Sequence, residues 1–351
     1  MAPPYTIIKE DETMRALFIG GTGTISTAIS HLAVERGWEL YLLNRGNRSE
    51  FVPEGAHILQ ADISDQAKVR EMIKDLQFDV VADFIAFVPQ NIERDIALFS
   101  GRTRQYIFIS SASAYQKPLS SYRITESTAL ANPYWEYSRN KIACEERLML
   151  EYRTNGFPAT IIRPSHTYSE TSIPLAIHGN TSWSVIERML KGKPVLIHGD
   201  GSSLWTLTHS SDFAKAFLGI MGNPVTIAQP IHITSDEALT WDQIYDRIGA
   251  TLNVQVKKFH VASDFLIGCD PGYEGPLKGD KAVSVIFDNS KIKRFVPEYA
   301  ATVRFDQGVR MSVQYLLAHP GLQVPDPVFD SFCDRVIAAQ QKALEYFRAG
   351  G

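Results

Sequence analysis

Short apolar runs and helical patterns alternate regularly through the first half of the sequence. The first run, 16–20, is continuously apolar and ends in glycine, as is typical of a strand buried on both faces of a parallel sheet. A helical pattern follows over 26–36, and Gly37 is placed to end it. Further strand-like runs lie at 40–43, 57–59, 80–84, 106–109 and 160–162, separated by helical stretches such as 65–77, 90–99 and 138–155. This alternation predicts an α/β fold with a Rossmann-type, doubly wound parallel sheet.

A glycine-rich turn joins the first predicted strand to the first predicted helix. Glycine permits a tight turn and lets backbone N–H groups approach a pyrophosphate, while the helix N-terminus adds favourable positive potential. In this position the turn predicts a dinucleotide site. Ser26 stands where a third glycine is usual, so we expect the helix and strand to lie slightly further apart. The cofactor-binding residues expected here are Gly20, Thr22, Gly23, Thr24 and Ile25.

The end of the second predicted strand bears on the choice of cofactor. Sites selective for NAD commonly carry a carboxylate here, which accepts from the ribose 2′-hydroxyl. This chain has Asn44, Arg45 and Arg48 and no acid. Guanidinium groups match phosphate geometry, so the arginines favour NADP over NAD, although solvated loop arginines are the alternative. After the third strand, Asp62 and Ile63 are candidates for contact with the adenine, with helix capping by Asp62 or Ser64 as the alternative.

Tyr137 and Lys141 are four residues apart at the start of a predicted helix, so their side chains share one face. An ammonium group and an oxidised nicotinamide ring both favour phenolate, and would lower the pKa of tyrosine from its usual value of about 10. A phenol tuned in this way can act as a general acid or base. Ser110 and Ser111 end the fifth predicted strand, at the sheet edge where ligands bind.

The order of these motifs resembles the short-chain dehydrogenase/reductase superfamily, in its extended or atypical branch, the NAD-dependent epimerase/dehydratase family. The resemblance covers roughly residues 15–230. It implies that Ser111 hydrogen-bonds the reacting oxygen of the substrate and that Tyr137 is the catalytic acid or base. It also implies that Lys141 orients the nicotinamide ribose and lowers the pKa of the tyrosine.

The resemblance extends to residues 163–166, which are similar to the family segment whose backbone approaches the nicotinamide carboxamide. This similarity implies cofactor contacts from Pro164 and His166. The sequence departs from the family at Trp205, where nucleotide-sugar enzymes usually have an arginine that holds the substrate diphosphate. The missing guanidinium argues against a nucleotide-sugar substrate. Residues 83–86 replace the usual small-residue turn, which indicates a reshaped cofactor pocket.

Several side chains are candidates for lining a substrate cleft, although aromatic residues equally fill protein cores. We expect His209 to be structural, with Asp212 as its partner. The basic region 278–294 either holds an anionic substrate group or forms a solvated charged face. The candidate substrate-lining residues are Ser113, Tyr168, Trp183 and Trp205.

Beyond residue 164 the alternation becomes irregular, which suggests a second, smaller domain and a substrate cleft between the two. A strand end and a helix at 207–221 then return to the first domain. We predict an NAD(P)-binding domain at 14–167 with about 205–234, a substrate-binding domain at about 168–204 and 235–325, and a C-terminal helix at 326–351.

Composition narrows the class of protein further. The chain of 351 residues has 35 basic and 39 acidic side chains, a formal charge of −4, and no basic block. A general nucleic-acid or anionic-membrane surface is therefore disfavoured. Three widely spaced cysteines argue against a disulfide framework and a metal site. The first fifteen residues lack the apolar segment of a secretory signal and no run suits a membrane span, so we expect a cytoplasmic protein.

We therefore expect an NAD(P)-dependent oxidoreductase or epimerase that acts on a hydroxyl or carbonyl carbon of a small sugar-like or polyol substrate. Whether the redox change is net or internal stays open. One alternative without catalysis is a sensor of NADP. The other is an RNA-binding protein, because the glycine turn and the Asn-Arg-Gly after the second strand also resemble chloroplast stem-loop RNA-binding proteins. Helices 90–99 and 138–155 resemble the superfamily's dimer-forming pair, which implies a possible homodimer.

Overall fold

The computed structural model describes residues 13–350. The strands are β1 (Arg15–Ile19), β2 (Glu39–Asn44), β3 (His57–Gln60), β4 (Phe78–Asp83), β5 (Thr103–Ile109), β6 (Arg123–Ile124), β7 (Ala159–Pro164), β8 (His166–Tyr168), β9 (Val195–His198), β10 (Leu204–His209), β11 (Pro230–Ile233), β12 (Ala238–Thr240), β13 (Lys258–Val261) and β14 (Ile286–Phe287). The helices are α1 (Ser26–Glu35), α2 (Gln66–Met72), α3 (Pro89–Phe99), α4 (Glu136–Asn155), α5 (Trp183–Leu190), α6 (Ser210–Ile220), α7 (Trp241–Leu252), α8 (Ser263–Cys269), α9 (Glu274–Pro276), α10 (Ser290–Phe295), α11 (Phe305–Ala318) and α12 (Pro327–Arg348).

Seven parallel strands form the main sheet, in the order β11-β7-β5-β4-β1-β2-β3. The strand order reverses between β1 and β4, which is the switch point where a doubly wound sheet opens a crevice for ligands. The predicted fold class is confirmed. Helix α2 is shorter than the predicted 65–77. Just past the end of the helix, the Arg102 guanidinium donates hydrogen bonds to the carbonyls of Ile73 and Lys74, at 3.3 and 3.0 Å.

Strand β1 shows why the sheet needs helices on both faces. Ala16 and Phe18 pack in one buried cluster with α1 and α6, and Leu17 and Ile19 pack in a second with α2, α3 and α4. All four residues are fully buried, so the strand is apolar without alternation. Packing on both faces of the sheet therefore fixes the positions of the carboxyl ends of the strands and of the loops that follow them.

A third buried cluster lies outside the seven-stranded sheet. It combines the small sheets β12-β10-β8 and β13-β9 with helices α5, α7, α11 and the first turns of α12. This separate core supports the two-part division predicted above, which we retain as a proposal.

None of the helices between residues 13 and 350 is long and apolar enough to cross a membrane. The prediction about a secretory signal falls mostly on residues 1–12, outside the described part.

A buried ion pair joins α4 to the main sheet. Arg163 on β7 donates to both carboxylate oxygens of Glu145 on α4, at 2.9 and 2.6 Å, and each side chain is only 4% exposed. Ser110, just after β5, donates to the same carboxylate at 2.5 Å. Removing one partner of such a buried ion pair leaves the other charge buried and uncompensated. The pair therefore fixes α4 against the ends of β5 and β7.

We expect Glu145→Gln to lower the free energy of unfolding by about 3 kcal/mol, because the Arg163 charge stays buried without its carboxylate. Urea denaturation with an unchanged m-value is the measurement. Glu146→Gln, at the exposed neighbouring position, is the matched control and should change stability by less than about 0.5 kcal/mol. Equal effects of the two substitutions would contradict a structural role for the pair.

Candidate active site

The glycine-rich turn between β1 and α1 is packed so closely that it excludes larger residues. Gly20 has a φ of +80°, and a Cβ placed on it would lie 2.6 Å from Cγ2 of Ile85. A Cβ on Gly21 would lie 2.5 Å from Leu42. Both contacts are shorter than real Cβ contacts, so glycine is required here. Thr22 and Thr24 lie in the same turn, Thr22 buried and Thr24 half-buried.

Ser26, in the position of the usual third glycine, ties the turn to the helix. Its hydroxyl donates to the carbonyl of Gly20 and accepts from the N–H of Gly23, both at 2.7 Å. Ser30, one turn further along α1, donates to the carbonyl of Gly21 at 2.8 Å. The slightly larger separation of helix and strand expected at Ser26 stays a prediction, and the two hydrogen bonds of the Ser26 hydroxyl hold the turn in place.

The two arginines after β2 are available to a ligand. Asn44 accepts from the N–H of Gly46 at 3.0 Å and shapes the loop. Arg45 is exposed, and the Arg48 guanidinium lies over the Phe51 ring at 4.3 Å. Neither arginine forms a salt bridge with any residue of the described range 13–350. The loop therefore presents positive charge beside the carboxyl end of β2.

Asp62 follows β3 and is exposed. Its carboxylate accepts from the N–H and hydroxyl of Ser64, at 2.9 and 2.7 Å, and these bonds lower the pKa of Asp62. It does not cap α2, because Asp65 accepts from the N–H of Lys68 and does so instead. Ile63 is buried in the core under the sheet. The capping alternative for Asp62 was therefore wrong.

Lys141 lies buried beneath Tyr137, one helical turn away. Its ammonium donates to the carbonyls of Ala86 and Ile109, both at 2.7 Å, at the carboxyl ends of β4 and β5. Burial lowers the pKa of Lys141 to about 8. An ammonium group has three N–H donors, so one is left for a ligand.

Tyr137 lies in the first turn of α4, with its ring 4.9 Å from that of Trp135. Burial raises the pKa of the Tyr137 phenol, and the Ser111 hydroxyl acts in the opposite direction. Ser111 and Ser113 are hydrogen-bonded to each other at 2.9 Å, and Ser138 donates to Ser113 at 2.8 Å. The phenol therefore lies beside a chain of hydroxyl groups that can hold or pass a proton.

A cavity of about 380 Å³ opens where the glycine turn, α4 and the loops after β5 and β7 meet. The predicted site residues on its wall are Ile25, Ser111, Ser113, Tyr137, Pro164, His166 and Trp205. Arg45, Arg48 and Asp62 lie away from it, beyond β2 and β3. A dinucleotide is an extended molecule that spans such a sheet edge, so this spread is compatible with one cofactor site.

Two predicted lining residues do not reach the cavity. Tyr168 is 1% exposed, and its hydroxyl lies where a Cβ on Gly308 of α11 would meet it. Trp183, at the start of α5, is buried in the same core cluster. Both predictions were wrong, because aromatic side chains in this part of the chain fill the third core rather than the cleft.

His209 directly precedes α6 and has a different partner from the one expected. Its Nδ1 caps the helix by accepting from the N–H of Ser211 at 3.3 Å, and it lies 2.7 Å from the Ser211 hydroxyl. Asp212 instead accepts from Lys215 at 2.7 Å and from the N–H of Val303 at 2.8 Å. The prediction of an Asp212 partner was wrong, and a structural role for His209 at the helix N-terminus fits its contacts.

Four polar or aromatic residues of the cavity were missed or left undecided by the sequence. Lys117 and Trp135 were not singled out, although they follow Tyr115 and precede Tyr137 by two residues each. Asp280 and Lys281 lie in the basic region that the sequence could not assign.

Between residues 13 and 350 no group of three or more His, Cys, Asp or Glu side chains is arranged to hold a metal ion.

Comparison with known proteins agrees with this geometry. One relative is the 2′-dehydrokanamycin reductase of Streptomyces kanamyceticus, 23% identical over 68% of this chain and 67% of that protein. Another is the chloroplast stem-loop binding protein of 41 kDa b of Arabidopsis thaliana, 26% identical over 67% of this chain and 62% of that protein. The fold is shared with dTDP-glucose 4,6-dehydratase from Bacillus anthracis, solved in complex with NAD, at a TM-score of 0.70 and 18% identity, over 88% of this chain and 98% of that one.

A family match covers more than half of the sequence. Residues 16–234 match the NAD dependent epimerase/dehydratase family, and this range contains the glycine turn, Ser111, Tyr137 and Lys141. The family and the type of enzyme expected from the sequence are thereby confirmed. The chain belongs to the NAD-dependent epimerase/dehydratase family.

Proposed function

We propose that the protein transfers hydride between a nicotinamide cofactor and a hydroxyl or carbonyl carbon of a sugar-like or polyol substrate. The observation that carries the proposal is the common cavity of Ser111 and Tyr137. It opens beside Ile25 at the start of α1 and Pro164 at the end of β7. A substrate in this cavity can contact both hydroxyl groups while a dinucleotide lies along the sheet edge. The resemblance of helices α3 and α4 to the dimer-forming pair of the superfamily leads us to propose them as a homodimer surface.

The described residues fit a dinucleotide. The turn at Gly20 and Gly21 packs directly against Ile85 and Leu42, which holds it at the N-terminus of α1, where backbone N–H groups can bind a pyrophosphate. Lys141 keeps one N–H donor for a ribose hydroxyl. The exposed guanidinium of Arg45, with Arg48 nearby, supports NADP as the preferred cofactor, because a 2′-phosphate would pair with it. When bound, the nicotinamide accepts or donates the hydride.

Tyr137 supplies the proton in this proposal. Its pKa is raised by burial, so the phenol is protonated near neutral pH and can donate to an alkoxide formed during reduction. In the oxidative direction, the positive ring of an oxidised cofactor and the Lys141 ammonium favour phenolate. Ser111 holds the reacting oxygen by a hydrogen bond, which fixes the carbon for hydride transfer.

Internal and net redox chemistry use the same side chains. In an epimerase the cofactor is reduced and reoxidised on one substrate, whereas in a reductase it exchanges after each turnover. Identification of the nucleotide in the freshly denatured protein separates the two. Near-stoichiometric retained cofactor supports an epimerase, and an empty protein that binds added cofactor supports net redox.

Tyr137→Phe retains the ring but removes the group that moves the proton. We expect it to reduce turnover by about 10²- to 10⁴-fold, the usual contribution of general acid or base catalysis, with little change in cofactor affinity. The measurement is oxidation of NAD(P)H with a panel of aldoses and ketoses. Tyr134→Phe, outside the cavity lining, is the matched control. A wild-type rate in Tyr137→Phe would refute the assigned role.

Arg45→Ala tests the preference for NADP. We expect NADPH to bind about tenfold to a hundredfold more weakly, because a charge-assisted hydrogen bond to the 2′-phosphate is lost, and NADH to bind as before. Titration with both cofactors measures this directly. Arg36→Ala, at an exposed position after α1, serves as the control. If the affinities for both cofactors are unchanged in Arg45→Ala, the phosphate contact does not exist.

The pH dependence of turnover follows from Lys141. Because burial lowers its pKa to about 8, the ammonium is present below that pH and is lost above it. The rate of reduction should therefore decline as pH rises through about 8. Lys141→Met should abolish this decline with pH and should lower the rate at all pH values. A wild-type rate that is constant from pH 7 to about 10 would contradict the role of the ammonium.

RNA binding is a second candidate, favoured by the similarity to the chloroplast stem-loop binding protein. The formal charge of −4 and the absence of a basic block weigh against it. A filter-binding titration with stem-loop RNA at two salt concentrations discriminates the candidates. Salt-sensitive, submicromolar binding would support the RNA function, and its absence would leave the enzymatic proposal as the better one.

A further inference from the structure

A buried lysine faces the substrate cavity with almost no partner. Lys117 is 5% exposed and belongs to the cavity lining. Within residues 13–350 its ammonium has a single hydrogen bond, to the carbonyl of Asp280 at the limiting distance of 3.5 Å. An ammonium group has three donors, and burying a charge without partners is strongly unfavourable. Burial accordingly lowers the pKa of Lys117.

A second lysine lies on the same wall of the cavity. The ammonium of Lys281 is 2.9 Å from a carboxylate oxygen of Asp280, and both side chains are largely buried. It also lies 5.7 Å from the centre of the Trp135 ring and 5.8 Å from that of Trp205. Trp205 is 4% exposed and stacks on Trp241, whereas Trp135 is half-buried. The wall therefore places the ring of Trp135 beside a charged group, an arrangement suited to a sugar ring that carries a substituent.

The charges on this wall do not cancel. With Lys117 protonated, the ammonium groups of Lys117 and Lys281 stand against the single carboxylate of Asp280, which leaves one excess positive charge, and a bound anion favours that protonated form. His166, which also lines the cavity, adds none, because burial lowers its pKa well below the usual value. The Arg163 guanidinium behind the cavity is neutralised by Glu145. An anionic group placed here would be attracted, and a cationic one repelled.

The neighbouring basic residues do not share this environment. Lys278 is 39% exposed and pairs with Asp264 at 2.7 Å. Lys293 is 42% exposed and pairs with Asp236 at 2.8 Å. These pairs form the solvated face that the sequence offered as one alternative, whereas Lys281 belongs to the cavity. The basic region is thus divided between the two interpretations.

We propose that Lys117 and Lys281 form a subsite for an anionic group of the substrate, a carboxylate or phosphate on a sugar-sized molecule. The inference rests on the proposed function and specifies its substrate class. The cavity of about 380 Å³ lies at the lower end of the range for small-molecule sites, in keeping with one sugar ring. The anion supplies a partner that Lys117 does not have among residues 13–350, and the sugar ring lies against Trp135.

Calorimetric titration with glucuronate, glucose 6-phosphate, glucose and glucosamine tests the subsite, in the presence and absence of saturating NADP⁺. We expect at least one of the two anionic sugars to bind about tenfold or more tightly than glucose, and glucosamine to bind more weakly still. Lys117→Met and Lys281→Met should each remove most of that preference. Lys278→Met, which alters the solvated pair, should retain it.

The outcomes separate this inference from the proposed function. Equal affinity for the charged and neutral sugars, no binding of any of them, or a preference that survives both substitutions would overturn the subsite. Failure of the wild-type protein to bind NADP⁺ or NAD⁺ in the same titrations would instead count against the proposed function. Lys117→Met removes a buried charge that has a single long hydrogen bond within residues 13–350, so the Tm of the variant should equal or exceed that of the wild type.

Discussion

The ion pair between Glu145 and Arg163 joins the elements on which the candidate site depends. It fastens α4, which carries Tyr137 and Lys141, to β7, and the bond from Ser110 includes the end of β5. The Arg163 guanidinium also lies 4.9 Å from the centre of the Tyr115 ring, behind the cavity. The side chains that face the cavity are therefore positioned by a buried, hydrogen-bonded polar cluster, which restricts their movement.

The same cluster connects the main sheet to the smaller part of the molecule. The Tyr115 hydroxyl is 3.2 Å from Nδ1 of His232 on β11, and Nε2 of that ring is 2.7 Å from the carbonyl of Asp288 after β14. Further contact comes from Asn132, which donates to the carbonyls of Ser113 and Gly279 at 2.7 and 2.6 Å. The cavity wall that carries Lys281 is thereby held against the wall that carries the serines.

The sequence predicted what depends on local pattern. The alternation of strands and helices specified the parallel sheet, and the four-residue spacing placed Tyr137 and Lys141 on one face of α4. It did not reveal that α11 covers Tyr168, because Gly308 is 140 residues further along the chain. The proximity of Lys117 to Asp280 was hidden for the same reason, because 163 residues separate them in the chain. Contacts between distant segments decide which aromatic and basic side chains reach the cleft.

Binding of the nicotinamide cofactor is the central claim, and energy transfer tests it most directly. Trp135 and Trp205 line the cavity, so a nicotinamide bound there would quench tryptophan fluorescence and emit in turn. The account predicts saturable energy transfer from tryptophan on titration with NADPH. A folded protein that shows no transfer and no affinity for NADPH or NADH would contradict the account.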